Sequence, residues 1–170
     1  MRFEKVSFNA FYTDLLKYAP YRLNENEGKL AYENIQLPQR ATVCSAGYDF
    51  FSPCAFYLLP GMDIVIPSGI KCYFTADESK NWHLKLYPRS SLGIKHNIVL
   101  TNCTGVIDAD YYNNPKNEGD ILISLTNFGC SGVQIQAGDK IMQGIFEAYA
   151  LTEDDRASKV RTGGVGSSGR

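Results

Sequence analysis

A chain of 170 residues with 44% hydrophobic and 21% charged side chains can bury one sizeable core, and this composition excludes wholesale disorder. Its formal net charge of −1 excludes a chain-wide basic field for nucleic acid or an anionic membrane, so local Arg and Lys must meet any polyanionic ligand. No apolar run reaches the length of a membrane span, and the start, Met1-Arg2-Phe3-Glu4-Lys5, lacks a signal peptide's apolar segment. The expectation is a cytoplasmic protein with no membrane or nucleic-acid partner. Five cysteines, Cys44, Cys54, Cys72, Cys103 and Cys130, are odd in number, widely spaced and without a Cys-x-x-Cys pair, which argues against a disulfide framework and a zinc site. His83 and His96 are too separate for a metal cluster, and His83, between Trp82 and Leu84, reads as a solvent-facing strand position.

Residues 1–40 form an N-terminal extension with a first strand and a short helix. Phe8, Phe11, Tyr12 and Leu15 have helical spacing that Pro20 would end, whereas residues 22–34 are polar and read as a loop. Residues 41–155 change character, with short β-branched and aromatic runs between turn residues. Ile64-Val65-Ile66 follows Pro60-Gly61, Ile70 to Phe74 follows Pro67-Ser68-Gly69, and Trp82 to Tyr87 alternates apolar with polar. Val133 to Gln136 alternates again, and Lys140 to Tyr149 follows Ala137-Gly138-Asp139. Many short strands without long intervening helices indicate an all-β sandwich, barrel or jelly roll. Residues 156–170 end in Arg161-Thr162-Gly163-Gly164-Val165-Gly166-Ser167-Ser168-Gly169-Arg170, which cannot bury enough surface to fold alone. It reads either as a frayed terminus or as a flexible glycine-rich arm that orders over phosphate oxygens.

Five segments carry chemistry. Ala46-Gly47-Tyr48-Asp49-Phe50 sets a carboxylate behind a glycine, and Pro88-Arg89-Ser90-Ser91-Leu92-Gly93 joins a guanidinium and two hydroxyls in a turn suited to phosphate. Gly105-Val106-Ile107-Asp108-Ala109-Asp110-Tyr111 reads as the mouth of a β-hairpin between Ile98-Val99-Leu100 and a strand from Ile121 to Leu125, with Asn113-Asn114-Pro115 as a turn. Strand alternation would put Val106, Asp108 and Asp110 on one face and Ile107 and Tyr111 on the other. Asp108, beside an apolar Ile and behind a glycine that admits a ligand, is a candidate general base; taken alone, the segment reads first as a polar hairpin tip. Gln143 is a polar residue inside the apolar strand of Gly138-Asp139-Lys140-Ile141-Met142-Gln143, and the arm is the fifth segment.

In this order, over roughly residues 45–169, the five segments resemble the motifs of the trimeric dUTPase family, in particular a bacterial or bacteriophage branch. The resemblance implies a jelly-roll-like subunit, a homotrimer with shared active sites closed by the arm, and Mg²⁺-dependent hydrolysis of dUTP to dUMP and pyrophosphate. It implies that Asp108 deprotonates the attacking water, that Tyr111 packs on deoxyribose, and that Asn102 with the backbone of Gly105, Val106 and Ile107 reads uracil. Arg89, Ser90, Ser91, Gln143 and Arg161 would hold phosphates, Val165, Gly166 and Ser167 would close over the nucleotide, and Asp49 would support Mg²⁺ through water. One departure is Val165, where the family usually carries an aromatic residue that stacks on uracil; weaker substrate capture with intact chemistry is expected. The short spacing between Arg161 and the glycine pair is a smaller departure. Two rival readings are a dCTP deaminase of the same fold and a homologue that acts by binding a regulatory protein partner.

Overall fold

The computed structural model describes residues 1–19, 23–159 and 161–163. In chain order its elements are β1 (Arg2–Lys5), α1 (Phe8–Tyr18), α2 (Glu25–Glu33), β2 (Gln39–Arg40), β3 (Tyr48–Phe51), β4 (Phe56–Leu58), β5 (Asp63–Pro67), β6 (Ile70–Tyr73), β7 (Trp82–Pro88), α3 (Ser90–His96), β8 (Ile98–Leu100), β9 (Gly105–Ile107), β10 (Leu122–Asn127), β11 (Val133–Ile135) and β12 (Lys140–Ala148). The strands form a five-stranded sheet in the order β2-β3-β12-β7-β9, a three-stranded sheet β5-β10-β8, and the pairs β1-β6 and β11-β4. All the ladders are antiparallel. The architecture is the expected all-β, jelly-roll-like one, with the α-helices among the described residues confined to the N-terminal region and one short helix after β7.

Alternation places the core. Ile64 and Ile66 on β5, Leu84 and Leu86 on β7, and Ile123 and Leu125 on β10 are all buried, and they share one cluster with Phe50, Ile98 and Ile141. Residues 1–40 contribute Val6, Phe11, Leu15, Ala31 and Ile35 to the same cluster. Each such side chain contributes about 1.5–3 kcal/mol by leaving water. The expected helix is α1: the Ser7 hydroxyl caps it by accepting from the Ala10 amide (3.2 Å), and Phe11, Asp14 and Leu15 lie on its buried face. Pro20 lies outside the described residues.

Two expectations need correction here. Residues 22–34 are not all loop, because α2 occupies Glu25–Glu33 behind a capping box in which Asn24 accepts from the Glu27 amide while Glu27 accepts from the Asn24 amide. Polar composition hid a helix whose buried side is only Gly28 and Ala31. The segment after Arg89 is likewise a short helix, α3, rather than a bare turn.

α1 and Ile35, just after α2, cover the β5–β6 turn. Gly69 sits there at φ +69°, and a Cβ at this position would lie 2.2 Å from Ile35 Cδ1 and 3.1 Å from Phe11 Cδ2, so both the backbone and these two side chains favour glycine. His83 is half-buried, its ring 5.6 Å from that of Tyr149.

Candidate functional site

β7 organises the site. Gly105 on β9 pairs with Leu86, and a Cβ on Gly105 would meet Leu86 Cδ1 at 2.9 Å, so the glycine lets β9 lie close against β7. Arg89 lies three residues beyond Leu86, which at roughly 3.3 Å per residue is about 10 Å along the strand direction. β7 ends at Pro88, so Gly105 and Arg89 mark its two sides, each bordering its own cavity.

At the Gly105 end, the turn 101–104 is tied down by its own hydrogen bonds. The Thr104 hydroxyl donates to the Leu86 carbonyl (2.8 Å), the Cys103 amide donates to Leu100 (2.8 Å), and Cys103 itself adopts φ +64°. Beside this turn is a largely apolar cavity of about 330 Å³ lined by Leu86, Leu100, Asn102, Gly105, Leu122 and Met142. Val106 is 53% exposed and pairs with Lys85 on β7.

β9 stops at Ile107. Asp108 precedes a 3-10 turn over Ala109–Tyr111, its carbonyl accepting from the Tyr111 amide (3.1 Å), so the expected alternation through Asp110 and Tyr111 fails; Ile98–Leu100 and β10 do pair antiparallel as expected, but Gly105–Ile107 between them pairs with β7. The turn still brings the two carboxylates together. Arg161 donates from Nη2 to Asp108 Oδ2 (2.6 Å) and from Nε to Asp110 Oδ1 (2.8 Å), and its guanidinium carbon is 5.6 Å from the centre of the Tyr111 ring. Both carboxylates stay about half exposed, whereas the Arg161 side chain is mostly covered. Gly163 lies against Lys116. Tyr111 is buried, and burial raises its hydroxyl above the ordinary tyrosine value.

At the Arg89 end the five-stranded sheet assembles a second cluster. Gln143 on β12 stands in register with Asp49 on β3 and Tyr87 on β7, and its amide donates to the Pro88 carbonyl (3.3 Å). Asp49 is buried between two cations: Arg89 Nη1 donates to Oδ1, and Lys140 Nζ is 2.9 Å from Oδ2 without hydrogen-bond geometry. Arg89, Ser91, His96, Gln134, Asp139 and Lys140 border a polar cleft of about 440 Å³, and Ser90 and Ser91 are exposed beside it.

A family model described as dUTPase matches residues 33–169. A deoxyuridine 5'-triphosphate nucleotidohydrolase of Lactococcus lactis is 41% identical over 142 residues, 81% of this chain and 92% of that one. The chain belongs to the dUTPase family. A crystal structure of the dUTPase from Streptococcus mutans superposes with a TM-score of 0.67 at 32% identity, covering 90% of this chain and 99% of that chain. A dUTPase from phage phi11 of S. aureus, described with a structural Mg(II) ion, has a TM-score of 0.60 at 23% identity over 76% of this chain and 94% of its own, a likeness of fold.

Of the residues that the dUTPase motifs single out, the structure brings Asp108, Tyr111 and Arg161 together, groups Asp49, Arg89 and Gln143, and sets Asn102 with Gly105 on one cavity. Val165, Gly166 and Ser167 lie outside the described residues. Sequence reasoning missed Lys140 as the second cation on Asp49, although it stands in the same motif as Gln143. It also left Asp110 without a partner, which the structure supplies in Arg161. Among the described residues no three His, Cys, Asp or Glu side chains converge as metal ligands. Asp49 Oδ2 is buried without a hydrogen bond but faces Lys140 Nζ at 2.9 Å, so a Mg²⁺ here would be held by substrate phosphates and water rather than ligated directly by this carboxylate.

Proposed function

We propose that the protein hydrolyses dUTP to dUMP and pyrophosphate, as a homotrimer using Mg²⁺, with Asp108 as general base. The observation that carries this reading is the position of Asp108: a half-exposed carboxylate at the end of the strand whose Gly105 backbone borders the apolar cavity, within reach of an arginine from the arm. Asp108 takes a proton from water, the water oxygen bonds to the α-phosphorus, and the bond from that phosphorus to the bridging oxygen breaks as pyrophosphate leaves. Bound Mg²⁺ neutralises charge on the phosphate chain and the leaving group.

Asn102 and the backbone of residues 105–107 present fixed donors and acceptors to the base, and a base with the wrong edge leaves them unpaired, which makes rejection strong. Tyr111 packs against the sugar and leaves no room for a 2′-hydroxyl. Arg89, Ser90, Ser91 and Gln143 hold phosphates, with Arg89 kept in place by Asp49, and Arg161 joins them from the arm. Family membership supports the trimer.

Pyrophosphate release from dUTP, dCTP, dTTP and UTP with Mg²⁺ tests the reading, with Asp108→Asn alongside. Turnover of dUTP alone, reduced by about 10² or more in the variant, is expected. Ammonia release from dCTP, or near-full activity of Asp108→Asn, overturns it. Light scattering that returns a monomer mass for active protein overturns the shared-site trimer.

A further inference from the structure

We propose that Asp14, in the N-terminal helix, is a positioning residue of the active site: through the Asn117 carboxamide it fixes Tyr111, so that α1 sets the preference for deoxyribose over ribose. The inference rests on the reading of Tyr111 as the residue that meets the sugar. Asp14 lies beyond the part of the chain matched by the dUTPase model, which begins at residue 33.

Asp14 occupies the buried face of α1 beside Phe11 and Leu15, and it is 5% exposed. A carboxylate at such a position is costly unless it is hydrogen-bonded, and an apolar residue would serve packing better. Its hydrogen bond comes from Asn117 Nδ2, 3.1 Å from Oδ2 and 103 positions along the chain. Asn117 is itself buried, and its two amide hydrogens are shared among Asp14, the Tyr111 hydroxyl (3.2 Å) and the Asp120 carbonyl (3.1 Å). Its carbonyl oxygen accepts from Asn114 Nδ2 (2.7 Å) and the Gly119 amide (3.2 Å). The Tyr111 hydroxyl donates to the Asp120 carbonyl (2.9 Å), while Asn114 Nδ2 holds the Tyr111 backbone oxygen (3.0 Å). The tyrosine is therefore fixed at both ends by one network, and that network is anchored to α1.

The loop cannot relax around a lost anchor without moving the tyrosine. Gly119 adopts φ +86°, and a Cβ there would lie 2.7 Å from the Tyr111 carbonyl oxygen, so the two strands of the loop touch backbone to backbone. A second tie runs from α1 to the same loop, since the Ser7 hydroxyl and amide both donate to Glu118 (2.6 and 2.9 Å). Tyr111 is three residues from Asp108, in the 3-10 turn that Asp108 precedes. A shift of about 1 Å at a positioned group can cost about 10² in rate, and a similar displacement of the ring opens space for a 2′-hydroxyl.

The test is kcat and KM for dUTP and UTP in the full chain, with melting temperatures, for Asp14→Leu, Asp14→Asn and Tyr111→Ala. In Asp14→Leu, which keeps side-chain volume but cannot accept the hydrogen bond, the ratio of kcat/KM for dUTP over UTP should fall about tenfold, equivalent to about 1.4 kcal/mol. Asp14→Asn, whose amide oxygen still accepts from Asn117, should hold the ratio within about twofold of the parent. An unchanged ratio in Asp14→Leu beside a collapsed ratio in Tyr111→Ala overturns the role of Asp14 and leaves the sugar reading standing. An unchanged ratio in Tyr111→Ala refutes the sugar reading itself, and the proposal with it. If Asp14→Leu does not fold, Asn117→Leu takes its place, and an unchanged ratio there overturns the proposal in the same way.

Discussion

Replacing Asp49 with Asn removes the one anion between Arg89 and Lys140. Breaking a buried ion pair by deleting one partner costs about 3–5 kcal/mol, because the remaining charge is left without a counter-ion. Here the carboxylate is 2% exposed, but the side chains of Arg89 and Lys140 are 29% and 42% exposed, so water screens the two cations that remain. The expected loss is therefore smaller, about 2 kcal/mol, or about 4–8 °C in Tm for a chain of this size. An asparagine amide can turn its oxygen toward one cation only by turning its NH₂ toward the other, so no rotamer replaces both contacts. Urea unfolding with thermal melting, at about 0.1 M and about 1 M salt, measures the loss and its screening. A second substitution, Lys140→Met, should recover part of it by removing one unbalanced cation. A loss under about 0.5 kcal/mol in Asp49→Asn would refute the view that the carboxylate holds the corner of the sheet together, and no recovery in the double variant would refute the repulsion argument.

Burial, with the Asp14 charge adding to it, raises the fully buried Asp120 carboxyl well above the ordinary range, so the native chain keeps a proton that the unfolded chain releases from about pH 4 upward. Stability should fall as pH rises through that window, and Asp120→Asn should flatten the slope in pH-dependent urea unfolding; an unchanged slope excludes Asp120 as its source. Asn24→Ala removes the capping box of α2 and should cost about 1 kcal/mol by the same measurement, with a loss near zero showing that α2 is held by packing alone. Val165→Phe should lower KM for dUTP while leaving kcat in place, since stacking on a base is worth about 1–3 kcal/mol, and an unchanged KM refutes the importance of the missing aromatic.

Strand order could not be read from the sequence, but strand existence could, because Ile64/Ile66 and Leu84/Leu86 alternate clearly and lie between strong turn residues. α1 was equally legible from Phe8, Phe11 and Leu15. α2 was not, since its face buries almost nothing apolar; its signal was the Asn24–Glu27 spacing, a cap rather than a stripe. The motif residues were legible one by one, while their grouping depended on register. Nothing local says that Gln143 stands opposite Asp49 or that Gly105–Ile107 pairs with β7. The role of the N-terminal region was hidden for the same reason, since its decisive contact, from Asp14 to Asn117, spans 103 positions.

Arg161 spends Nε and Nη2 on Asp110 and Asp108 in the free chain, so on the proposed reading a phosphate would compete with two carboxylates for it. Its contribution to affinity is then an exchange of one anionic partner for another, smaller than a count of nucleotide contacts suggests. The same exchange dampens the salt dependence of substrate binding, because a charge pair is lost as another is gained. In the free chain the arginine covers only Oδ2 of Asp108, so the half-exposed carboxylate keeps Oδ1 open to water while the arm is in place.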